Sequence, residues 1–318
     1  MNQSVEKLIV MIPAFNERET IGRVIKSIPR QISGIEKVEI LVIDDGSTDG
    51  TAGVAKSAGA DHVVSHHINL GLARAFATGL EAASGLGASV IVNIDADGQY
   101  DALEITKLIE PVISRNADIV IGDRQVRHLK FMPIQKKYGN VLGSFIVRIL
   151  SGTGIADASS GFRAFSQEAA RRLNIFSKGT YTHETIIDAA SRGLRLAQIP
   201  VAFRETARSS GESRLISSVF QHVKNSGMII VRTFVLYRPL KAFFYLGSVF
   251  IIAAVALGIR FLYYYFTIGG QGKIQSLILA GVLAIVGFQI LVMGFLADAV
   301  SANRRVSEEV LYRLKKRN

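Results

Sequence analysis

The 318-residue chain contains no cysteine and no tryptophan. Without cysteine there is neither a disulfide framework nor a thiolate metal site, which suits a reducing compartment. No secretory signal is expected, because Met1 to Lys7 is polar and the first apolar run is too short. A Gly-X-X-X-X-Gly-Lys-Ser/Thr phosphate loop, a Gly-X-Ser-X-Gly elbow and a His-Glu-X-X-His helix are all missing, so phosphate-loop, serine-hydrolase and zinc-peptidase chemistry have no footing. Gly152-Thr153-Gly154 lacks the third glycine and the preceding strand of a dinucleotide fingerprint, and His183-Glu184 stands alone.

Long apolar runs are also missing from Met1 to about Arg232, where short apolar stretches alternate with Gly, Asp and Ser clusters as in an α/β protein. From Leu240 to Leu296 the character changes. Ala242 to Phe266, interrupted by Arg260, and Ile274 to Ala297 each reach the roughly 20 apolar residues that a bilayer crossing needs. Arg260 lies beside Tyr263, Tyr264 and Tyr265, so it can snorkel to an interface where tyrosines settle.

Arg232, Arg238 and Lys241 precede the first span, and Arg304, Arg305, Arg313, Lys315, Lys316 and Arg317 follow the second. This asymmetry predicts a multi-pass protein of the cell membrane with both termini and the large domain cytoplasmic. The formal net charge of +11 is then met by anionic lipid headgroups rather than nucleic acid, for which no motif is present. The expected organisation is a catalytic domain over 1–213, interfacial amphipathic helices over 214–239, a two-helix anchor over 240–300 and a basic tail helix over 301–318. Leu215 to Tyr237 reads equally as an ordinary domain helix. Gly281, Gly287 and Gly294 would support helix association, in a homo-oligomer or within one chain.

Lys7 to Ile12, Glu39 to Ile43 and Ser89 to Ile94 are apolar, β-branched runs separated by helix-like stretches such as Thr20 to Ile28 and Ala73 to Ala83. That βαβαβ order predicts a parallel sheet with ligands at the carboxyl ends of its strands. The clusters at those ends are Pro13 to Glu17, Asp44 to Gly50 and Asp95 to Gln99. Such acidity at one edge calls for cations or hydrogen-bond donors. Asp95 and Asp97, one residue apart, can both reach a hard divalent cation such as Mg²⁺ or Mn²⁺ while a diphosphate fills its other positions. An Asx-turn or helix cap would use the same spacing.

Together, Pro13-Ala14-Phe15-Asn16-Glu17, Asp44 to Thr51, Asn69 to Ala75, Asp95 to Gln99 and Ser160-Gly161-Phe162-Arg163-Ala164-Phe165 resemble the family 2 glycosyltransferases of GT-A fold. The particular branch is that of dolichol-phosphate mannose synthases and polyprenyl-phosphate glycosyltransferases, and the resemblance covers roughly Lys7 to Asn225. It implies a Rossmann-like, mostly parallel α/β domain followed by two transmembrane helices. It further implies that Pro13, Ala14, Phe15, Glu17, Ile43, Asp44, Asp45, Asp95, Ala96, Asp97 and Arg208 bind the nucleotide sugar. Asp95, Asp97 and Gln99 would bind the metal. Arg124, Ser160, Arg163, Ser213 and Arg214 would approach the acceptor phosphate, with Asp97, Arg124 and Arg163 central to catalysis. Arg214 stands where the family commonly has Lys, and a planar fork contacts phosphate differently from a point charge. Glu184 matches an acidic position of no assigned role.

The implied reaction is inverting sugar transfer to dolichyl or polyprenyl phosphate. The Asp44-Asp45-Gly46-Ser47-Thr48-Asp49 loop resembles members using UDP-GlcNAc or UDP-glucose more than those using GDP-mannose, which remains the alternative. A processive polysaccharide synthase shares the donor site but usually carries Gln-X-X-Arg-Trp, which a chain without tryptophan cannot. A catalytically silent scaffold is opposed by the intact Asp95, Asp97, Gln99 and Arg163.

Overall fold

The computed structural model describes residues 5–175, 181–205, 234–235, 237–269 and 274–317. One seven-stranded sheet is built from β1 (Val5–Ala14), β2 (Ile35–Asp44), β3 (His62–Ser65), β4 (Val90–Asn93), β5 (Ile119–Asp123), β6 (Arg163–Ser166) and β7 (Leu196–Pro200), in the order β3-β2-β1-β4-β6-β5-β7. All neighbouring pairs are parallel except those of β6, which runs antiparallel to both β4 and β5.

The central strands are apolar on both faces, as sheets covered twice require. Leu8, Val10 and Ile12 join one core with Ile21, Val24 and Ile25 of α1 (Ile21–Ser27), Ala55 of α2 (Thr51–Ser57) and Leu108 and Val112 of α4 (Ile105–Ile113). Ile9, Met11, Leu41 and Ile43 are buried on the alternate positions. Each such side chain contributes about 1.5–3 kcal/mol on burial. Against this second set packs α3 (Leu72–Gly85), whose Gly79 comes so close that an added Cβ would lie 2.9 Å from both Ile43 and Met11. Further along, Phe76 of α3 stacks on Tyr181 at 3.7 Å between ring centroids.

The reversal of β6 positions the site. A segment that precedes a parallel strand enters at its amino end, but Ser160 to Phe162 precede an antiparallel one and so arrive at the carboxyl ends of β4 and β5. Arg163 there pairs with Asn93 on one side and Ile121 on the other. The remaining helices of this unit are α5 (Ile134–Ser151), α6 (Gln167–Arg172) and α7 (Thr182–Ser191).

A second unit holds α8 (Pro239–Ile268) and most of α9 (Ile274–Arg317). Both are long and apolar enough to cross a membrane, with mean hydropathies of 2.3 and 2.5 over their most apolar windows. They approach closely at glycines: a Cβ on Gly247 would lie 3.0 Å from the Gly287 carbonyl, and one on Gly294 2.9 Å from Phe243 Cβ. Gly287 and Gly294 thus serve packing within the chain, whereas a Cβ on Gly281 would meet open space. The basic tail, expected as a helix of its own over 301–318, is continuous with the second span as far as Arg317, in one helix of 44 residues.

Candidate active site

Three loops at the carboxyl edge are tied together before any ligand is considered. Behind β1, Asn16 takes a left-handed conformation at φ 53°. Its N–H donates to Ser47 Oγ at 2.9 Å and its Oδ1 accepts from the Thr48 N–H at 3.0 Å. The neighbouring Glu17 N–H donates to Thr51 Oγ1, and Glu17 Oε2 accepts from Thr20 Oγ1. Pro13 stands beyond the last register pair with β4, Met11 with Asn93, where a missing donor costs no ladder bond on that side. Phe15 projects outward, 40 % exposed, while Pro13, Ala14, Ile43, Asp44 and Asp45 are buried.

Asp45 does not face an open site. Its carboxylate accepts from the Leu70 and Gly71 N–H groups at 2.9 and 2.8 Å and pairs with His66 Nδ1 at 2.7 Å; His66 Nε2 in turn meets Thr78 Oγ1 at 3.0 Å. This network fastens the loop after β3 to the loop after β2. Gly46 completes the closure: at φ +74° a Cβ would sit 2.5 Å from the Ile68 carbonyl carbon, so only glycine fits. Asp44 accepts from the Ser47 N–H and shapes its own turn.

The Asp95-Ala96-Asp97 segment follows β4. Ala96 is buried, and Asp95 and Asp97 are partly so. Burial and the neighbouring Asp97 push the Asp95 carboxyl up to about 7, against the opposing pull of Arg124 and Arg163. Beside it Gly161 leaves a gap that a Cβ would fill, 2.7 and 2.8 Å from the Asp95 oxygens. Asp97 Oδ1 accepts from the Gln99 N–H at 3.1 Å, so the Asx-turn reading of the spacing is realised. The Gln99 amide donates to the Arg204 carbonyl at 3.2 Å.

Among the described residues no three His, Cys, Asp or Glu side chains gather as a metal cage. The donor set nonetheless fits a hard divalent cation. Such ions take one or two carboxylates and complete their shell with substrate phosphate and water, and a carboxyl raised by burial beside a second carboxylate is one whose ionisation a cation would restore. Asp95 and Asp97 would hold it.

Arg124, just beyond β5, is the cation aimed at this edge. Its Nε and Nη2 donate to Asp157 Oδ2 and Oδ1, both at 2.8 Å, and Nη2 also reaches Ser159 Oγ at 2.8 Å. The ring of Phe203 lies under the guanidinium at 5.3 Å. Burial would raise the Asp157 carboxyl, but the Arg124 hydrogen bonds and charge outweigh it and hold it below the usual range.

Ser160 and Arg163 occupy a different layer. Both are fully buried. Arg163 donates to the Ser160 carbonyl at 2.8 Å, the Ala158 carbonyl at 2.9 Å and Thr185 Oγ1 at 2.5 Å, and Ser160 Oγ meets the Tyr100 hydroxyl at 3.2 Å. The Arg163 guanidinium braces the 157–161 loop from beneath, and Glu184 is buried in the first turn of α7. Arg208, Ser213, Arg214 and the segment from Leu215 to 233 lie outside the described residues.

The sequence model for glycosyl transferase family 2 matches residues 9–173. The chain belongs to this family. Among its relatives in the family, the UDP-N-acetylglucosamine–dolichyl-phosphate N-acetylglucosaminyltransferase of Methanococcus voltae is 33 % identical over 218 residues, covering 62 % of this chain and 85 % of the relative. The polyprenol monophosphomannose synthase of Mycolicibacterium smegmatis is 31 % identical over 228 residues, covering 67 % and 82 %. In fold the chain resembles glucosyl-3-phosphoglycerate synthase of Mycobacterium tuberculosis, solved with Mn²⁺ and UDP-glucose, at a TM-score of 0.56 and 24 % identity over 73 % of this chain and 79 % of that one.

Within this family 2 site, Asp157, Ser159 and Phe203 were not singled out from sequence, nor was the Asp45–His66–Thr78 network. Asp157 lies three residues before a recognisable motif, but only the reversed strand brings it to Arg124, and Phe203 arrives from beyond β7.

Proposed function

We propose that this family 2 glycosyltransferase moves a sugar from a nucleotide diphosphate to a polyprenyl or dolichyl phosphate, with UDP-GlcNAc or UDP-glucose as the favoured donor and GDP-mannose as the alternative. The observation that carries the reading is the pairing of a carboxylate loop with a pre-oriented arginine at one sheet edge: Asp95 and Asp97 on one side, Arg124 held by Asp157 on the other. The relatives' names support the lipid-phosphate acceptor and include both kinds of donor. The preference for UDP-sugars rests on the resemblance of the Asp44-Asp45-Gly46-Ser47-Thr48-Asp49 loop to family members that use them.

The chemistry asks little of a general base. A phosphate monoester with second pKa near ~6 is mostly dianionic at neutral pH. Its oxygen attacks the anomeric carbon as the bond to the donor diphosphate breaks, the nucleotide diphosphate leaves with the bonding pair, and the configuration inverts. Arg124, unable to flex away from Asp157, Ser159 and Phe203, would place the attacking phosphate, a contribution of orientation rather than of proton transfer. Pro13, Ala14, Phe15, Glu17, Ile43 and Asp44 would frame the base and ribose, with Asp45 fixing the loop beside them through Leu70, Gly71 and His66. Mg²⁺ or Mn²⁺ on Asp95 and Asp97, with Gln99 beside them, would supply positive charge to the diphosphate. Arg208 is proposed to bind the nucleotide sugar, and Ser213 and Arg214 the acceptor phosphate.

The two apolar helices would hold the domain where a membrane-borne acceptor presents its phosphate, with the domain and both termini on the cytoplasmic side. The division into catalytic (1–213), interfacial (214–239), anchor (240–300) and tail (301–318) parts belongs to this proposal.

The deciding experiment offers radiolabelled UDP-GlcNAc, UDP-glucose and GDP-mannose with polyprenyl phosphate in detergent, with and without EDTA, beside Asp97→Ala. Labelling of the lipid by one donor, abolished by EDTA and by the substitution, is expected, with a β-linked product by NMR from an α-linked donor. Nucleotide binding without lipid labelling from any donor would overturn the acceptor assignment.

A further inference from the structure

A central strand covered by a helix is ordinarily apolar on that side from end to end. Its register with Ile9 and Met11 turns Ile91 and Asn93 of β4 to the side that α3 covers. Ile91 follows the rule, and Asn93, wholly buried, breaks it. Both amide hydrogens of Asn93 are used: Nδ2 donates to the Gly161 carbonyl at 2.7 Å and to the Tyr181 hydroxyl at 2.9 Å. Its Oδ1 has no hydrogen-bond partner among the described residues. A buried acceptor left without a donor is destabilising, and a leucine of similar size would bring no such penalty. What an asparagine supplies here is therefore its pair of N–H donors rather than packing.

The glycine that Asn93 holds is held from the opposite end of the carboxylate loop as well. The Gly161 N–H donates to the Tyr100 hydroxyl at 3.2 Å, and that hydroxyl also meets Ser160 Oγ at 3.2 Å. Asn93 stands two residues before Asp95, and Tyr100 directly follows Gln99. The two residues that bracket the loop thus close on the two peptide groups flanking Gly161. The Cα between those groups is turned to Asp95, since a Cβ there would lie 2.7 and 2.8 Å from its carboxylate oxygens. Tyr181 is steadied in its turn by Phe76, the rings parallel to within 4° at 3.7 Å. Just upstream of Gly161, Asp157 and Ser159 hold Arg124.

We infer, on the reading of Asp95 and Asp97 as metal carboxylates, that Asn93 and Tyr100 are positioning residues that clasp Gly161 from both ends of the carboxylate loop and so fix Asp95 relative to Arg124. The clasp ties the loop that would hold the cation and the sugar donor's diphosphate to the loop that carries the arginine's partners. Neither residue touches the ion or the substrates. Partners of this kind orient a ligand side chain, and their loss typically lowers metal affinity or turnover about 10–100-fold.

The test uses the full chain in detergent, with Asn93→Leu and Tyr100→Phe made singly and together. It reads the urea midpoint and the hydrogen exchange of residues 158–163 in the metal-free protein, and the binding of UDP and GDP by calorimetry in Mn²⁺ or in EDTA. In Asn93→Leu the Gly161 carbonyl keeps the Tyr181 hydroxyl, 3.4 Å away, as a donor, so the midpoint should not fall. The 158–163 segment should lose protection in either variant. Nucleotide binding in Mn²⁺ should weaken at least about tenfold while binding in EDTA stays within about twofold. Because both variants release one glycine, the double variant should lose no more than about the larger single loss. A lowered midpoint with Mn²⁺-supported binding unchanged would make both residues core bracing and overturn the inference. Equal weakening in Mn²⁺ and in EDTA, or losses that add in the double variant, would overturn it too. An unmodified chain that binds neither nucleotide more tightly in Mn²⁺ than in EDTA would instead sink the metal reading, and the clasp's proposed task with it.

Discussion

Asp157 grips Arg124 by both carboxylate oxygens, with Nε to Oδ2 and Nη2 to Oδ1 each at 2.8 Å, and takes the Arg124 backbone N–H at 3.1 Å as well. A fork held at two points cannot rotate, so the guanidinium edge not facing Asp157 is fixed in direction. Asp157→Asn keeps the size of the side chain but loses the charge and one acceptor. Its kcat/KM for the lipid acceptor should fall on the order of 10²-fold, as a misplacement of about 1 Å can cause. The KM for the nucleotide sugar should stay within about twofold, since donor contacts are elsewhere. Steady-state kinetics with each substrate varied checks the split; an equal loss on both sides would mean that Asp157 supports the whole fold rather than the arginine.

Much of this was legible in the residues. The β1, β2 and β4 strands, the helices between them, the carboxylate loop and the two apolar helices follow from period and composition, because each depends on neighbours close in sequence. The insertion of β6 between β4 and β5 does not, since Arg163–Ser166 is four residues long and its direction is set by partners 70 and more positions away from it at Val90–Asn93. For the same reason the sequence motif Ser160 to Arg163 points to phosphate contact, while the fold spends Ser160 on Tyr100 and Arg163 on backbone carbonyls.

Gly161 is positioned to test the carboxylate loop without touching a charge. Gly161→Ala would place a methyl group 2.7–2.8 Å from the Asp95 oxygens, closer than van der Waals contact allows, so Asp95 or the 160–161 backbone must move. A loss of about 10²-fold in kcat, with weaker metal-dependent nucleotide binding by calorimetry, is expected. Activity equal to the unmodified chain would show that the Asp95 carboxylate is not needed where the structure puts it.

Asp95 gives the pH dependence its sign. Its carboxyl is raised from the usual acidic range to about 7 by burial and by Asp97. The folded, ligand-free chain therefore prefers Asp95 protonated, and the stability this group contributes is present at low pH and lost as pH rises through about 7. Asp95→Asn should raise the Tm of the ligand-free chain by a few degrees at pH 8, and the gain should shrink towards pH 5. Metal-supported nucleotide binding needs the ionised form, so in the unmodified chain it should weaken as pH falls below about 7. Differential scanning calorimetry and nucleotide titrations over pH 5–8 read both trends, and a Tm difference growing toward low pH would reverse the assignment.

Arg163 separates bracing from phosphate contact. Fully buried, with its Nε on the Ser160 carbonyl and Nη2 on the Ala158 carbonyl, it satisfies acceptors that no water can reach. Burial lowers its affinity for the proton, yet an arginine stays charged, so removing its fork leaves unpaired polar groups inside. Arg163→Lys retains the charge but cannot reach both carbonyls and Thr185 together, and should cost about 1–3 kcal/mol of stability per group left unpaired. If the side chain instead contacted the acceptor phosphate, the same substitution would leave chemical denaturation unchanged and raise only the acceptor KM. A denaturant midpoint that falls alongside kcat, with the acceptor KM little moved, is the outcome that the buried geometry predicts.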